Sequence, residues 1–122
     1  MSSETESTIE ALVKDWTYLP DISERWGVLV TEVRQMVKDH KLIAVRRGPN
    51  NALQVPAAFI EDDGLVKHLA GTLTVLRDGR FTDDEILEWL FTEDPSLPGS
   101  PIQALRENRG TEVKRRAQAL SL

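Results

Sequence analysis

Two short amphipathic stretches separated by a single glycine-bearing turn restrict this chain more than any other feature. Pro20 and Asp21 open DISERWG, in which Ile22 and Trp26 lie four apart on one helical face and Gly27 supplies the positive φ that ends a helix. After Val28 and Leu29, the stretch VTEVRQMVKDH sets Val30, Val33 and Val37 on one stripe and leaves Thr31, Glu32, Arg34, Gln35 and Lys38 toward water. The spacing predicts one helix of about six residues closing at Gly27 and a second over residues 30–39.

Two helices joined by so short a turn form a helix-turn-helix unit, whose second helix can lie in a DNA major groove. Its outward face carries Arg34 and Lys38 one turn apart, beside Gln35 and Thr31, side chains suited to guanine, adenine or phosphate oxygens. Cations at i, i+4 are equally an ordinary solvated helix face. The next residues weigh against that plain reading. LIAVRR alternates like a strand, GPNN is dense in turn formers, and ALQVP returns as a second strand. The product is a β-hairpin wing with Arg46 and Arg47 expected at its tip, where a guanidinium reaches a phosphate or the minor groove. Paired arginines also solubilise an exposed hairpin, but solubility alone explains helix, turn, helix and basic wing together poorly.

The charge is divided unevenly. The 122 residues carry 20 acids and 15 bases, a net charge of -5 that argues against a general nucleic-acid or membrane coat. Residues 1–15 hold four acids and one base, residues 16–60 four acids and six bases, and residues 61–122 twelve acids and eight bases. Only the middle segment is net basic. Cysteine is absent, which excludes a disulfide scaffold, a thiol nucleophile and thiolate-bound metals. No apolar run approaches the roughly eighteen residues that span a bilayer, and MSSETESTIE lacks the parts of a signal peptide. A cytoplasmic, nucleoid-associated protein without membrane contact is expected.

Residues 1–15 read as an acidic tail, disordered over 1–8 and partly helical where Ile9, Leu12 and Val13 lead into Trp16. Residues 16–60 form the winged unit and residues 61–122 a helical subdomain packed on it, so the fold class is mainly α with a small β-hairpin. In the second half, EDDG breaks the chain and Leu65, Leu69, Leu73 and Leu76 then recur at helical spacing up to about Asp78. Thr82 and Glu85 have capping-box spacing, with Asp83 and Asp84 complementing the helix dipole and Ile86, Leu87, Trp89, Leu90 and Phe91 facing inward. Ser100 and Pro101 start another helix, Gly110 interrupts it, and Thr111 is a candidate cap for a last one carrying Val113, Ala117 and Leu120.

The acids at 83–85 fit a helix start better than general acid–base work. His40 and His68 belong to no ligand motif, and neither a phosphate-cradling loop nor a nucleophile elbow occurs. The sequence therefore predicts no enzyme, no cofactor and no metal. Trp16, Trp26 and Trp89 fit core positions, and Arg106, Arg109, Lys114, Arg115 and Arg116 read as surface charge before they read as phosphate contacts.

Residues 18–59 resemble the winged helix-turn-helix of MerR and excisionase-type DNA-binding proteins. HKLIAVRR, LTVLRDGRFTDDEILEWLFTEDPSL and EVKRRAQAL extend the likeness over residues 18–120 to a small actinobacterial family of winged-helix DNA-binding proteins. That resemblance implies double-stranded DNA as partner and a role in transcription, with the recognition helix on residues 31–38 and the wing on Arg46 and Arg47. The stretch from Asp78 to Leu120 is also similar to the toxin-binding domain of some bacterial antitoxins, so an alternative is a protein partner held through residues 65–122. In the tail, Thr5 and Thr8 are flanked by acids, and the resemblance is compatible with a Ser/Thr protein kinase acting there. A phosphate would add up to about two negative charges and should weaken attraction to DNA.

Overall fold

A computed structural model describes residues 3–97 and 99–121 of the protein. Helix α1 spans Ser3–Leu12, and a bond from the Val13 N–H to the Ile9 carbonyl, 2.8 Å, closes its last turn. The helix thus starts upstream of Ile9, inside the stretch whose composition predicts a disordered tail. Ile9 and Val13 are buried, and this anchor, not the polar residues before it, gives the segment a reason to order. Residues 1 and 2 of the expected tail lie outside the described residues.

Strand β1 (Trp16–Tyr18) follows, then helices α2 (Leu19–Trp26) and α3 (Val30–Lys38). Pro20 sits in the first turn of α2, where its missing N–H costs nothing, and Gly27 closes the helix at φ 69°. Strands β2 (Val45–Arg47) and β3 (Ala52–Pro56) form the wing. The sheet is antiparallel in the order β1-β3-β2, with Thr17 opposite Val55 and Arg46 opposite Leu53. The strand expected over LIAVRR is shorter than its sequence because Leu42 and Ile43 are both buried in irregular backbone before it. Nothing in the sequence reading anticipated β1, which supplies the third strand on the free edge of β3.

A 3-10 turn at Ala57–Phe59 leads into a small hairpin, β4 (Ile60–Glu61) and β5 (Gly64–Leu65), turning at Asp62 and Asp63. Four helices complete the chain: α4 (Leu69–Asp78), α5 (Asp83–Phe91), α6 (Pro101–Arg106) and α7 (Gly110–Leu120). Helix α4 starts at Leu69 and not at Leu65, because Leu65 pairs in β5 and His68 has a left-handed backbone, φ 70°. The capping box on α5 forms as its spacing predicts. The Glu85 N–H donates to Thr82 Oγ1 at 3.2 Å, and the Thr82 N–H donates to Glu85 Oε1 at 2.9 Å. The helix begun at Pro101 ends at Arg106, before Gly110 is reached, and Thr111 is not the cap of the last one. Gly110 is the first residue of α7, after Arg109 at the cap position, and a Cβ there would stand 2.3 Å from His68 Cδ2.

Helix α7 packs on α4, α6 packs on α5 and on the turn at Ala57–Phe59, and α1 packs on α5. One apolar core therefore runs through both halves, from Ile9, Ile22, Val33 and Val55 to Phe59, Leu73, Leu87, Leu90 and Val113. The architecture is a mainly α winged helix-turn-helix followed by a bundle of C-terminal helices.

Candidate nucleic-acid interface

Helix α3 divides its residues by the period the sequence displays. Val33 is buried, Met36 and Val37 are packed against the core, and Thr31, Arg34, Gln35 and Lys38 are exposed. Positions 31, 34, 35 and 38 share one face. Gln35 Nε2 donates to Asp39 Oδ1 at 2.9 Å, which orients its amide along the helix. Among the described residues no ion pair involves Arg34, Lys38 or Arg46.

A groove of about 740 Å³ runs between the start of α2, the exposed face of α3 and the wing. Arg34 and Lys38 line it from the helix and Arg46 from β2, against a single carboxylate, Asp21. Arg46 Nη1 donates to the Asn51 carbonyl at 3.1 Å, a contact that directs the guanidinium across the hairpin. The structure thus brings together three of the expected cations, with Thr31 and Gln35 on the neighbouring helix surface.

Arg47 lies elsewhere. Successive side chains on a strand point to opposite faces, and Arg47, opposite Ala52, faces away from the groove. Its Nε donates to Glu10 Oε1 at 3.0 Å, its Nη1 to Gln54 Oε1 at 3.2 Å, and its guanidinium carbon stands 4.4 Å from the centre of the Trp16 ring. Nor do the two arginines occupy the hairpin tip, since both belong to β2 and the turn is made by residues 48–51. The alternation was available in the sequence, but the partner, Glu10, is 37 residues away.

The expected modification sites are on α1. Thr8 is exposed, and the Thr5 side chain lies outside the described residues. Of the C-terminal basic residues, three brace the fold. Arg106 Nη1 donates to the Ala58 carbonyl at 2.8 Å, Arg109 Nη1 to the Leu97 carbonyl at 3.0 Å, and Arg116 Nε to Ser96 Oγ at 3.0 Å. A hydrogen bond from Arg109 holds the Glu112 carboxyl below its ordinary range and raises the guanidinium in return. Asp94 is lowered likewise, chiefly by the hydrogen bonds it accepts from Ser96. Lys114 and Arg115 instead border a second recess of about 410 Å³ beside His68 and Gln118.

The sequence marks the turn before α3 but gives its Val28 and Leu29 no role. Leu29 is 69% exposed and Val28 37%. The available signal was an apolar residue at the helix N-cap, where Ser, Thr, Asp or Asn is preferred. Among the described residues no acidic or histidine cluster could hold a metal, and no helix is long and apolar enough to cross a membrane.

Comparison with known proteins finds two family models in the chain. Residues 7–60 match the family model of the wHTH domain of DNA-binding protein Rv2175c, and residues 66–121 match that of the Rv2175c C-terminal domain of unknown function. The chain is 41% identical over 116 residues to DNA-binding protein Rv2175c of Mycobacterium tuberculosis (strain ATCC 25618 / H37Rv), covering 84% of this chain and 78% of that protein. It is also similar to the NMR structure of Rv2175c, with a TM-score of 0.78 and 37% identity, covering 88% of this chain and 82% of that one.

Proposed function

The chain belongs to the Rv2175c family of winged helix-turn-helix proteins, and from that premise we propose that it binds double-stranded DNA and regulates transcription. Helix α3 enters the major groove, where Thr31, Arg34, Gln35 and Lys38 meet base edges and phosphates. Arg46 reaches the backbone from the wing. The observation that carries this reading is the convergence of Arg34, Lys38 and Arg46, from two separate elements, on one groove. An overall anionic protein thereby offers a local cationic corner to a polyanion, and it acts by binding, in the cytoplasm at the nucleoid.

Three phosphate contacts give a salt slope of about −2.7 in log K against log salt. Fluorescence anisotropy on a labelled duplex across a salt series tests this. The triple variant R34A/K38A/R46A is expected to bind more weakly at low salt and to lose most of the slope. Unchanged low-salt binding would overturn the assignment. Arg47 contributes to the backbone clamp only by leaving Glu10.

The tail is proposed as the regulatory input, through a Ser/Thr kinase acting on Thr5 and Thr8. Helix α1 carries both threonines and touches the wing through Glu10 and Arg47. A phosphate on Thr8 would add negative charge close to Glu10 and oppose the approach of DNA. Thr5→Glu and Thr8→Glu are expected to weaken duplex binding, and affinities equal to the unmodified protein would remove this role.

A further inference from the structure

We infer that Leu29, with Val28 beside it, reads the 5-methyl group of a thymine, so that the bound site requires an A·T pair facing the leading end of α3. The inference rests on the DNA-binding reading above. Its starting point is a large apolar side chain held in water: Leu29 at 69% exposure, next to Val28 at 37%. A leucine at the N-cap also forgoes the side-chain hydrogen bond that a polar residue would make to the first turn, so neither burial nor capping accounts for it.

The backbone presenting these side chains is fixed from both helices. The Val28 N–H donates to the Ser23 carbonyl at 3.0 Å, and Ser23 Oγ donates to the Val28 carbonyl at 2.6 Å. From the other side the Leu29 N–H donates to Glu32 Oε2 at 3.2 Å, and the Glu32 N–H to the Leu29 carbonyl at 3.0 Å. Leu29 is therefore a presented group and not a loose loop residue.

Position selects the ligand. In a helix-turn-helix, residues at the start of the second helix meet base edges, and the thymine methyl is the one apolar group on the major-groove floor. Arg34 and Lys38, farther along the same helix, match a polyanion. Two side chains also offer far less than the roughly 800 Å² per partner of a stable protein interface, which disfavours a second copy of this chain as the occupant.

The test changes the DNA one methyl at a time. After selection of a preferred duplex from a random pool, each thymine is replaced in turn by deoxyuridine, and affinity is measured for the wild type and for Leu29→Ala. One replacement is expected to weaken wild-type binding about fourfold, the value of a single buried methyl. Leu29→Ala is expected to be insensitive to that replacement, with an unchanged salt slope. Wild-type affinity equal on every deoxyuridine duplex overturns the inference even if the variant fails to fold. A variant still sensitive to the same methyl overturns it too, as does a variant that keeps wild-type affinity but, by sedimentation velocity, has lost self-association, since Leu29 would then contact a second copy of this chain. Failure of the wild type to bind any duplex would instead remove the underlying DNA-binding reading.

Discussion

At Arg46 and Arg47 one step along the backbone separates two physical situations, because adjacent strand residues face opposite sides of the sheet. Arg46 enters the groove with a single carbonyl contact, whereas Arg47 is held by Glu10, Gln54 and the Trp16 ring. Replacing each by alanine should therefore move different observables. Arg46→Ala is expected to weaken duplex binding and lower the salt slope by about 0.9, with stability within about 0.5 kcal/mol of wild type. Arg47→Ala is expected to lower stability in urea by about 1 kcal/mol, since the ion pair is partly exposed and the ring contact is of similar size. Gly110 gives a second residue-scale test. A Cβ there would lie 2.3 Å from His68 Cδ2 and 2.8 Å from His68 Cβ, which is too close for a small side-chain rotation to relieve. Gly110→Ala should cost about 1–3 kcal/mol in urea unfolding, and His68→Gly in the same chain, which removes both the ring and the Cβ at a left-handed backbone position, should restore most of the loss.

Among the elements, those whose signal is local were legible in sequence. Helices α3, α5 and α7 each carry an apolar stripe, and the capping box on α5 is in place. Thr82→Ala is accordingly expected to cost about 1 kcal/mol by thermal unfolding. Strands β1, β4 and β5 escaped notice because two or three residues cannot display an alternation, and their pairing is decided by partners distant in sequence. Leu42 and Ile43 misled in the opposite direction, since a buried apolar run resembles a strand whatever its backbone does. The same division holds at the candidate interface. The outward face of α3 follows from its period, while the separation of Arg47 depends on Glu10 and the display of Leu29 on a turn pinned by Ser23. Helix α7 and the turn before α6 also have an acid-sensitive side. Glu112 and Asp94 have folded-state pKa values below their ordinary ones. The stability they add is present above the ordinary carboxylate range and is lost as pH falls through it toward the lowered values. The Tm should drop with acidification, and Glu112→Gln should show a shallower drop.

On the scale of the whole molecule, the two halves share one core and are tied by polar contacts that cross the seam. Helix α1 buries Ile9 and packs on α5, while Glu10 on the same helix grips the wing. Arg106 on α6 reaches the Ala58 carbonyl, and Trp26 Nε1 of the winged half donates to the Glu61 carbonyl at 2.7 Å. A chain joined in this way should unfold as one unit, although its sequence divides into two family domains. Tryptophan positions allow that to be measured. Trp16 and Trp26 report on the winged half and Trp89 on α5. In a variant retaining only Trp89, and in another with Trp89→Phe, the urea midpoint by fluorescence is expected to coincide with that by far-UV circular dichroism. Ile9→Ala, which removes a 6%-exposed side chain between the halves, should lower stability by about 2–4 kcal/mol and shift both probes together. Separated midpoints, with the winged half melting first, would mean that α1 rests on the bundle without coupling it to the wing, and the grip of Glu10 on Arg47 would then be a surface contact without structural consequence.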